Sequence, residues 1–211
     1  MYRLPGVILL LAASLLGPGV AAAGEWRAGG YAFSDELGGF EILGASGAGT
    51  RTDPIVIVER IDRLGPAVLV IRPLARAGDD GRVLLGSFVQ FSLVTVVTNG
   101  TRRNWAGFDL ELQEEIGQPS VYVDGLSFDQ LGTFDDRVFT SDRFALFTDL
   151  TEPFDRIRFE RGYVVPKATV RFQVYITDVT PKAEFYLVQE PQLLVAEWPA
   201  PGGWRHAKAA E

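Results

Sequence analysis

The stretch Thr169–Thr177, TVRFQVYIT in one-letter code, alternates polar and apolar side chains without a break. Successive side chains of a strand point to opposite faces, so this alternation predicts a β-strand with one face buried and one face in water. Gly107–Gln113, GFDLELQ, repeats the pattern with Phe, Leu and Leu against Asp, Glu and Gln. Both stretches are therefore predicted to be strands whose apolar side chains build a core.

Eight further stretches are rich in β-branched and aromatic residues and are separated by Gly, Pro, Asp or Asn: Phe40–Leu43, Pro54–Ile61, Ala67–Arg72, Phe88–Thr98, Phe144–Phe147, Arg156–Glu160, Glu184–Val188 and Leu193–Trp198. This density of strands and turns predicts an all-β fold, an antiparallel β-sandwich of the jelly-roll or immunoglobulin-like type with few or no helices. Leu112–Ile116 is expected to continue a strand into a loop. The polar stretch Gln118–Asp142 is expected to hold edge strands and their turns, with a long functional loop as the alternative.

The N-terminus follows the order of a secretory signal peptide. Arg3 supplies a positive charge, Gly6–Leu16 is apolar, and Ala21–Ala23 offers small residues for cleavage after Ala23. The apolar run is too short for a bilayer, which needs about 20 residues; the alternative is a short buried helix. We expect a signal peptide over residues 1–23, one β-sandwich domain over 24–198 and a disordered tail over 199–211, in a secreted or periplasmic protein.

The composition argues against several classes of function. The 211 residues carry a net charge of −7 without a Lys/Arg cluster, so nucleic acid is not expected as a partner. Cysteine is absent, and the one histidine, His206, lies in the predicted tail, which argues against a Ser–His–Asp triad, a cysteine nucleophile or a zinc site. No second apolar segment has spanning length, so no membrane span is expected in the mature chain.

Carboxylates are the side chains through which catalysis or metal binding could still occur. Glycoside cleavage needs two acids across a cleft, and adjacent acids occur at Asp35/Glu36, Asp79/Asp80, Glu114/Glu115 and Asp135/Asp136. Calcium takes oxygen ligands from loops, which makes a loop-rich stretch the candidate calcium site: Asp124, Asp129, Asp135 and Asp136. The alternative for all these acids is a solvated surface. Calcium is the only cofactor that the sequence leaves open.

Three aromatic residues are candidates for stacking on sugar rings at the sandwich surface. Trp105 follows a turn, Tyr122 lies in the loop-like stretch, and Tyr175 lies on the polar side of its predicted strand. An amphipathic ring can bury its body and keep its polar tip in water. Packing in the core or at its rim is the alternative for each of them.

Three stretches resemble secreted bacterial β-sandwich proteins of the PEP-CTERM-associated or choice-of-anchor group. They are Val97–Thr101 followed by Trp105–Leu112, Asp155–Pro166 leading into Val170–Asp178, and Glu184–Pro191. The resemblance implies the sandwich fold and no particular activity. Within it, Asn99-Gly100 suits a tight turn because both residues tolerate positive φ, and Trp105 and Phe108 would pin the next strand to the core.

The chain also departs from that group. Arg161 and Lys167 stand where glycine is usual, and a C-terminal sorting signal is not found, so a member of this kind is expected to be released or periplasmic. Separately, Gly47–Ile57 resembles a turn that leads into a strand in bacterial surface proteins. These observations lead us to expect a non-catalytic protein with a binding or structural role at the cell envelope, with an envelope protein or a glycan as partner. The alternatives are a glycan-active hydrolase or lyase with paired carboxylates and a subunit of an envelope assembly.

Overall fold

Two β-sheets pack face to face over the side chains that the alternation places on one side of each strand. The computed structural model describes residues 24–74, 76–77, 83–84, 88–121, 124–129, 139–150 and 155–193. Sheet I has seven strands in the spatial order β1 (Glu25–Ala28), β2 (Tyr31–Ser34), β5 (Ala67–Pro73), β15 (Phe185–Leu193), β9 (Trp105–Gln113), β13 (Arg156–Gly162) and β12 (Phe144–Leu150). The predicted all-β sandwich is confirmed.

Sheet II has the order β10 (Leu126–Phe128), β14 (Thr169–Asp178), β8 (Val89–Asn99), β4 (Ile55–Ile61) and β3 (Phe40–Ser46), with β11 (Thr140–Ser141) also beside β14. The two-residue strands β6 (Arg76–Ala77) and β7 (Val83–Leu84) pair with each other. All pairs are antiparallel except β4 with β8, where Ile57 lies opposite Thr95. Sheet II is therefore a mixed sheet. Strands β4 and β8 run in the same direction because β5, which lies between them in sequence, belongs to sheet I and carries the chain back to the end of the sandwich at which β4 begins.

Aromatic rings fill the core and join the two sheets. Phe108 of sheet I stacks on Phe172 of sheet II with centroids 4.5 Å apart, and Phe159 lies 4.8 Å from the same ring. Trp105 is fully buried, and its indole Nε1 donates to Thr101 Oγ1 at 3.2 Å. Burying one such side chain contributes about 1.5–3 kcal/mol, so this cluster is a principal support of the fold. The expected anchoring by Trp105 and Phe108 is confirmed.

Asn99-Gly100 does not form the expected turn with positive φ. Neither residue has a positive φ, and the chain crosses here from β8 in sheet II to β9 in sheet I. Asn99 is buried instead, its Nδ2 donating to the carbonyls of Arg103 and Val164 at 2.9 Å. A Cβ on Gly100 would displace the Asp62 carboxylate and lie 3.0 Å from the Ile61 carbonyl oxygen, so the chain passes close to its neighbours here.

The prediction that β9 has one solvent-exposed face is also wrong. Asp109 and Glu111 are 3% and 4% exposed, and Gln113 is buried beside them. Arginines of β13 lie across both carboxylates, and the turn after β9 folds back so that the Gly117 amide donates to Gln113 Oε1 at 2.8 Å. Charge pairing with the neighbouring strand therefore covers the face that the alternation alone assigns to water.

Several boundaries differ from the predicted ones. Strands β1, β2, β6 and β7 were not predicted, whereas β10 and β11 are edge strands of the kind expected in Gln118–Asp142. Strand β15 continues through Pro191 because β5 no longer pairs there and needs no amide from it. Leu112–Ile116 continues a strand into a turn, as expected. Residues 1–23, 194–198 and 199–211 lie outside the described residues. In the described part of the chain, no helix has the length and apolarity to cross a membrane.

Candidate functional site

An open cleft of about 510 Å³ lies at one end of the sandwich, where turns of both sheets meet. Its walls come from the β1–β2 turn, the β3–β4 turn, the end of β5, the start of β8 and the middle of β14. The described side chains that give it chemistry are Tyr31, Thr50, Arg51, Phe88, Gln90 and Tyr175. The cleft falls within the range of about 300–1,000 Å³ that small-molecule sites occupy.

Tyr175 stands on the outward side of β14, as the alternation predicts, and is half-buried at the cleft. Its hydroxyl donates to Gln90 Oε1 of β8 at 3.1 Å. Burial raises the pKa of Tyr175, Asp129 raises it further, and Arg51 lowers it. The ring is thus held by its tip in a fixed position, which a stacking platform requires.

The β3–β4 turn is the motif Gly47–Pro54 noted in the sequence, and it is closed by its own hydrogen bonds. The Ala48 and Thr50 amides donate to the Asp53 carbonyl at 3.2 and 3.0 Å, and the Asp53 amide donates to Thr50 Oγ1 at 3.0 Å. The Asp53 carboxylate accepts a further bond from the Ala48 amide at 3.1 Å. Arg51, at the tip of this closed turn, is therefore presented by a defined backbone.

The floor of the cleft is aromatic. Tyr31 of β2 lies 4.4 Å from Phe91 of β8, which ties sheet I to sheet II directly below the cleft. The Leu74 amide donates to the Gly30 carbonyl at 2.9 Å and fixes the β1–β2 turn against the end of β5. These two contacts link the cleft walls that come from β2, β5, β8 and the β1–β2 turn.

Trp105, the other aromatic candidate that the structure describes, does not join Tyr175. Trp105 is 0% exposed, so its ring presents no face to a sugar, and the core-packing alternative holds for it. Tyr122 lies outside the described residues. The structure therefore brings Tyr31 and Tyr175 together, and Tyr31 was missed because strand β2 was not recognised in the sequence.

The candidate calcium ligands are dispersed as far as the structure describes them. Asp124 Oδ2 accepts from Ser120 Oγ at 2.6 Å and from the Val121 amide at 2.8 Å, and its Oδ1 accepts from the Leu126 amide. This carboxylate thus closes the loop before β10. Asp129 follows β10 with a φ of 55° and lies near Tyr175, while Asp135 and Asp136 lie outside the described residues. Among the described residues no three acidic, His or Cys groups could hold a metal ion, and calcium binding stays a prediction.

None of the adjacent acid pairs converges on a cleft in the described part of the chain. Arg72 binds Glu36 and lowers its pKa, whereas Asp35 accepts from the Ile42 amide at 2.9 Å. Lys182 contacts Glu114 at 2.6 Å and Glu115 at 3.6 Å. Asp79/Asp80 and Asp135/Asp136 lie outside the described residues.

Acidic side chains that are not adjacent in the sequence share a cleft, which the adjacent pairs do not. Asp109, Glu111 and Glu190 line a second cleft of about 250 Å³ on the outer face of sheet I. Arg158 binds Asp109 through two bonds of 2.9 and 2.7 Å, and Arg156 binds Glu111. The spacing of Asp109 and Glu111 in GFDLELQ already places both on one face, which is the signal that could have identified this pair.

The chain matches no protein-family model, no curated protein and no solved structure.

Proposed function

We propose that this protein is a non-catalytic binding protein of the cell envelope and that the cleft beside Tyr175 binds a glycan. The observation that carries the proposal is the cleft itself, in which a tip-anchored tyrosine, an amide and a hydroxyl surround an aromatic floor. Sugar rings stack on aromatic faces through their C–H side and bond to amide and hydroxyl groups through their edges. The described lining supplies both kinds of contact.

The sequence supports the location. Residues 1–23 have the order of a secretory signal, which supports export to the periplasm or the medium. The resemblance of Val97–Leu112 and Asp155–Pro191 to the PEP-CTERM-associated group supports a place at the envelope of a bacterium, and membership of that group stays a prediction.

A glycan array probed with the purified protein tests this proposal. Binding to at least one glycan should be lost in Tyr175→Ala and kept in Tyr163→Ala, which removes an exposed tyrosine beyond the opposite end of β8. Thermal unfolding of both variants checks that the fold is intact. Equal binding by the two variants would place the glycan elsewhere, and binding by neither the protein nor its variants would refute the proposal.

The second cleft favours a second candidate, a glycan-active hydrolase or lyase. Asp109, Glu111 and Glu190 line it together, and a two-carboxylate mechanism draws on two acids that flank one bound sugar. Because Arg158 binds Asp109 and Arg156 binds Glu111, Glu190 is the acid that a substitution should test. Release of reducing ends from a glycan library, abolished in Glu190→Gln, would favour the enzyme; an inactive wild-type protein that still binds glycans would favour the binding protein.

A further inference from the structure

We propose that one end of the sandwich binds the anionic headgroups of a phospholipid bilayer. This end lies beyond the last residue of β8, whereas the cleft beside Tyr175 lies at the first residues of that strand, so the proposal does not depend on the glycan. We call this surface the basic end and define it by five side chains: Arg102, Arg103, Arg143, Arg161 and Lys167.

Asn99 joins the two connections that carry three of these cations. Its side-chain amide donates at 2.9 Å to the carbonyl of Arg103, in the turn between β8 and β9, and to that of Val164, in the connection between β13 and β14. Its backbone carbonyl accepts from the Lys167 amide at 2.7 Å. Because Asn99 is fully buried and bonds to both connections, they lie against each other at one end of the sandwich.

Arg143 and Arg161 lie at the same end, on neighbouring strands. Phe144, which begins β12, pairs with Gly162, which ends β13, and each arginine immediately precedes one residue of this pair. Arg143 Nε also donates to the Thr169 carbonyl at 3.3 Å, which holds it beside the first residue of β14. The fold therefore gathers cations from distant parts of the chain into a cluster that no run of Lys or Arg in the sequence could indicate.

The positive charge of the basic end is not cancelled by nearby acids. All five side chains are exposed, and in the described part of the chain none of them forms an ion pair. The acids at this end lie beside arginines outside the group: Glu41 and Asp62 bind Arg60, Asp142 accepts from the Arg171 amide, and Glu160 lies near Arg158. An excess of positive charge on one end of a chain with a net charge of −7 attracts an anionic surface.

Tyr163 and Val165 favour a bilayer over a soluble polyanion. They lie beside Lys167 in the connection between β13 and β14 and are 67% and 41% exposed. Tyrosine is enriched where lipid meets water, because its ring can contact acyl chains while its hydroxyl stays among the headgroups. A soluble polyanion would pair with the cations and leave both apolar side chains in water. Docking by this end would also leave the cleft beside Tyr175 facing away from the bilayer.

Sedimentation of the full chain with lipid vesicles tests the proposal. The vesicles contain either phosphatidylcholine alone or an equal mixture of phosphatidylcholine and phosphatidylglycerol. A double variant, Arg102→Gln with Arg103→Gln, removes two positive charges from the basic end. Arg27→Glu is the matched control, because it changes the net charge by the same amount at an exposed position in β1, four strands and roughly 19 Å from β9. Thermal unfolding of the variants checks that the fold is intact.

We expect the wild type to bind the mixed vesicles about ten-fold or more tightly than the neutral ones. Each basic residue near an anionic bilayer strengthens binding roughly five-fold, so the double variant should bind the mixed vesicles about ten-fold more weakly or worse. Arg27→Glu should change binding less than about two-fold, because charges are screened beyond about 10 Å at 0.1 M salt. In Tyr163→Trp, the added fluorescence should shift to shorter wavelength on mixed vesicles as the ring enters the lipid.

Other outcomes would overturn the proposal. Equal binding to both kinds of vesicle would mean that headgroup charge plays no part, as expected if the apolar residues 6–16 insert into lipid instead. Equal losses in the double variant and Arg27→Glu would assign the effect to net charge, and an unshifted spectrum of Tyr163→Trp would show that another face contacts the lipid. Absence of binding to mixed vesicles would refute the bilayer as partner, and binding to a DNA oligonucleotide or a sulfated polysaccharide at the same salt would then identify a soluble polyanion.

Discussion

Gln189 donates a hydrogen bond from its side-chain amide to Glu59 Oε2 at 3.0 Å, joining β15 of sheet I to β4 of sheet II through the interior. Both residues are 0% exposed. Burial raises the pKa of Glu59 to about 8 although the bond from Gln189 opposes the shift, so this carboxyl holds its proton at neutral pH. Glu59 Oε1 and Gln189 Oε1 have no hydrogen-bond partner, and the carboxyl proton supplies the one donor that this pair of acceptors lacks.

The first prediction concerns the pH dependence of stability. Glu59 releases its proton near pH 4.5 when unfolded and near pH 8 when folded, so the folded state binds more protons between these values. The contribution of this group is therefore fully present below about pH 4.5 and is lost as the pH rises towards 8, at roughly 1.4 kcal/mol per pH unit. Urea unfolding of Glu59→Gln at pH 5, 6.5 and 8 should show a shallower fall than the wild type, because the new amide donates without titrating.

Glu115→Gln is the control for that experiment, because it makes the same change of side chain at an exposed position. It should keep the slope of the wild type. If Glu59→Gln and the wild type lose stability in parallel over this range, Glu59 is not protonated in the folded state.

The second prediction concerns the covered face of β9. Asp109 is 5% exposed at its side chain and is bound by Arg158, which is 39% exposed. Arg158→Met should lower the free energy of unfolding by about 1–3 kcal/mol, because it leaves a buried carboxylate with only a long contact to Gln192. Adding Asp109→Leu to that variant should recover most of the loss, since replacing both partners removes the stranded charge.

Guanidinium unfolding of the two single variants and the double variant measures this coupling. Arg102→Met is the matched control, an exposed arginine without a buried acid beside it. Additive losses in the double variant would show that Asp109 and Arg158 do not depend on each other.

Much of the fold could be read from the sequence because its strands alternate over long stretches. Val89–Asn99 and Thr169–Asp178 were predicted to within one or two residues, since most of their inward residues are apolar. The short strands β1 and β2 were missed because four residues show too little alternation. Edge strands were expected in Gln118–Asp142, where β10 and β11 lie, but strands of two or three residues show no pattern that fixes their bounds.

The site was harder to predict than the fold. Tyr175 could be placed on the outward face of its strand from the alternation of polar and apolar residues alone. Its neighbours in the cleft come from strands and turns far apart in sequence, and no local pattern places Tyr31 or Arg51 beside it. The burial of Glu59 was missed for a different reason: alternation places it on the same face of β4 as Ile55, Ile57 and Ile61, but a carboxylate is the residue type least expected there.

The third prediction concerns two residues with left-handed backbone. Arg161 and Lys167, which stand where the resembling group has glycine, adopt φ angles of 58° and 67°. This conformation costs an L-residue about 1–2 kcal/mol. Substitution by glycine removes that strain but increases the conformational entropy of the unfolded chain. Lys167→Gly should therefore raise the free energy of unfolding by up to about 1 kcal/mol, measured by urea unfolding.

Arg102→Gly serves as the control, because Arg102 is equally exposed and has no positive φ. It should lower stability by about 0.5–1 kcal/mol through the entropy of the unfolded chain alone. A loss of the same size in Lys167→Gly would show that the left-handed conformation at residue 167 carries no strain.

The fourth prediction tests whether the turn that carries Arg51 must keep its shape. Gly47 and Gly65 have similar φ angles of 94° and 103°, but a Cβ on Gly47 would lie 1.9 Å from the Pro54 carbonyl oxygen, whereas a Cβ on Gly65 would meet nothing within 4 Å. Gly65→Ala should therefore cost only the backbone strain of about 1–2 kcal/mol. Gly47→Ala must also push the two sides of its turn apart, and we expect a larger loss in thermal unfolding.

The same pair of variants separates stability from binding. Gly65 lies in the β4–β5 turn and does not line the cleft, so Gly65→Ala should bind the preferred saccharide as the wild type does. Gly47→Ala should bind it at least ten-fold more weakly even at a temperature where both proteins are folded, because the displaced turn forms one wall of the cleft. Unchanged binding by Gly47→Ala, with its stability lowered, would mean that the turn supports the sandwich and has no part in holding the ligand.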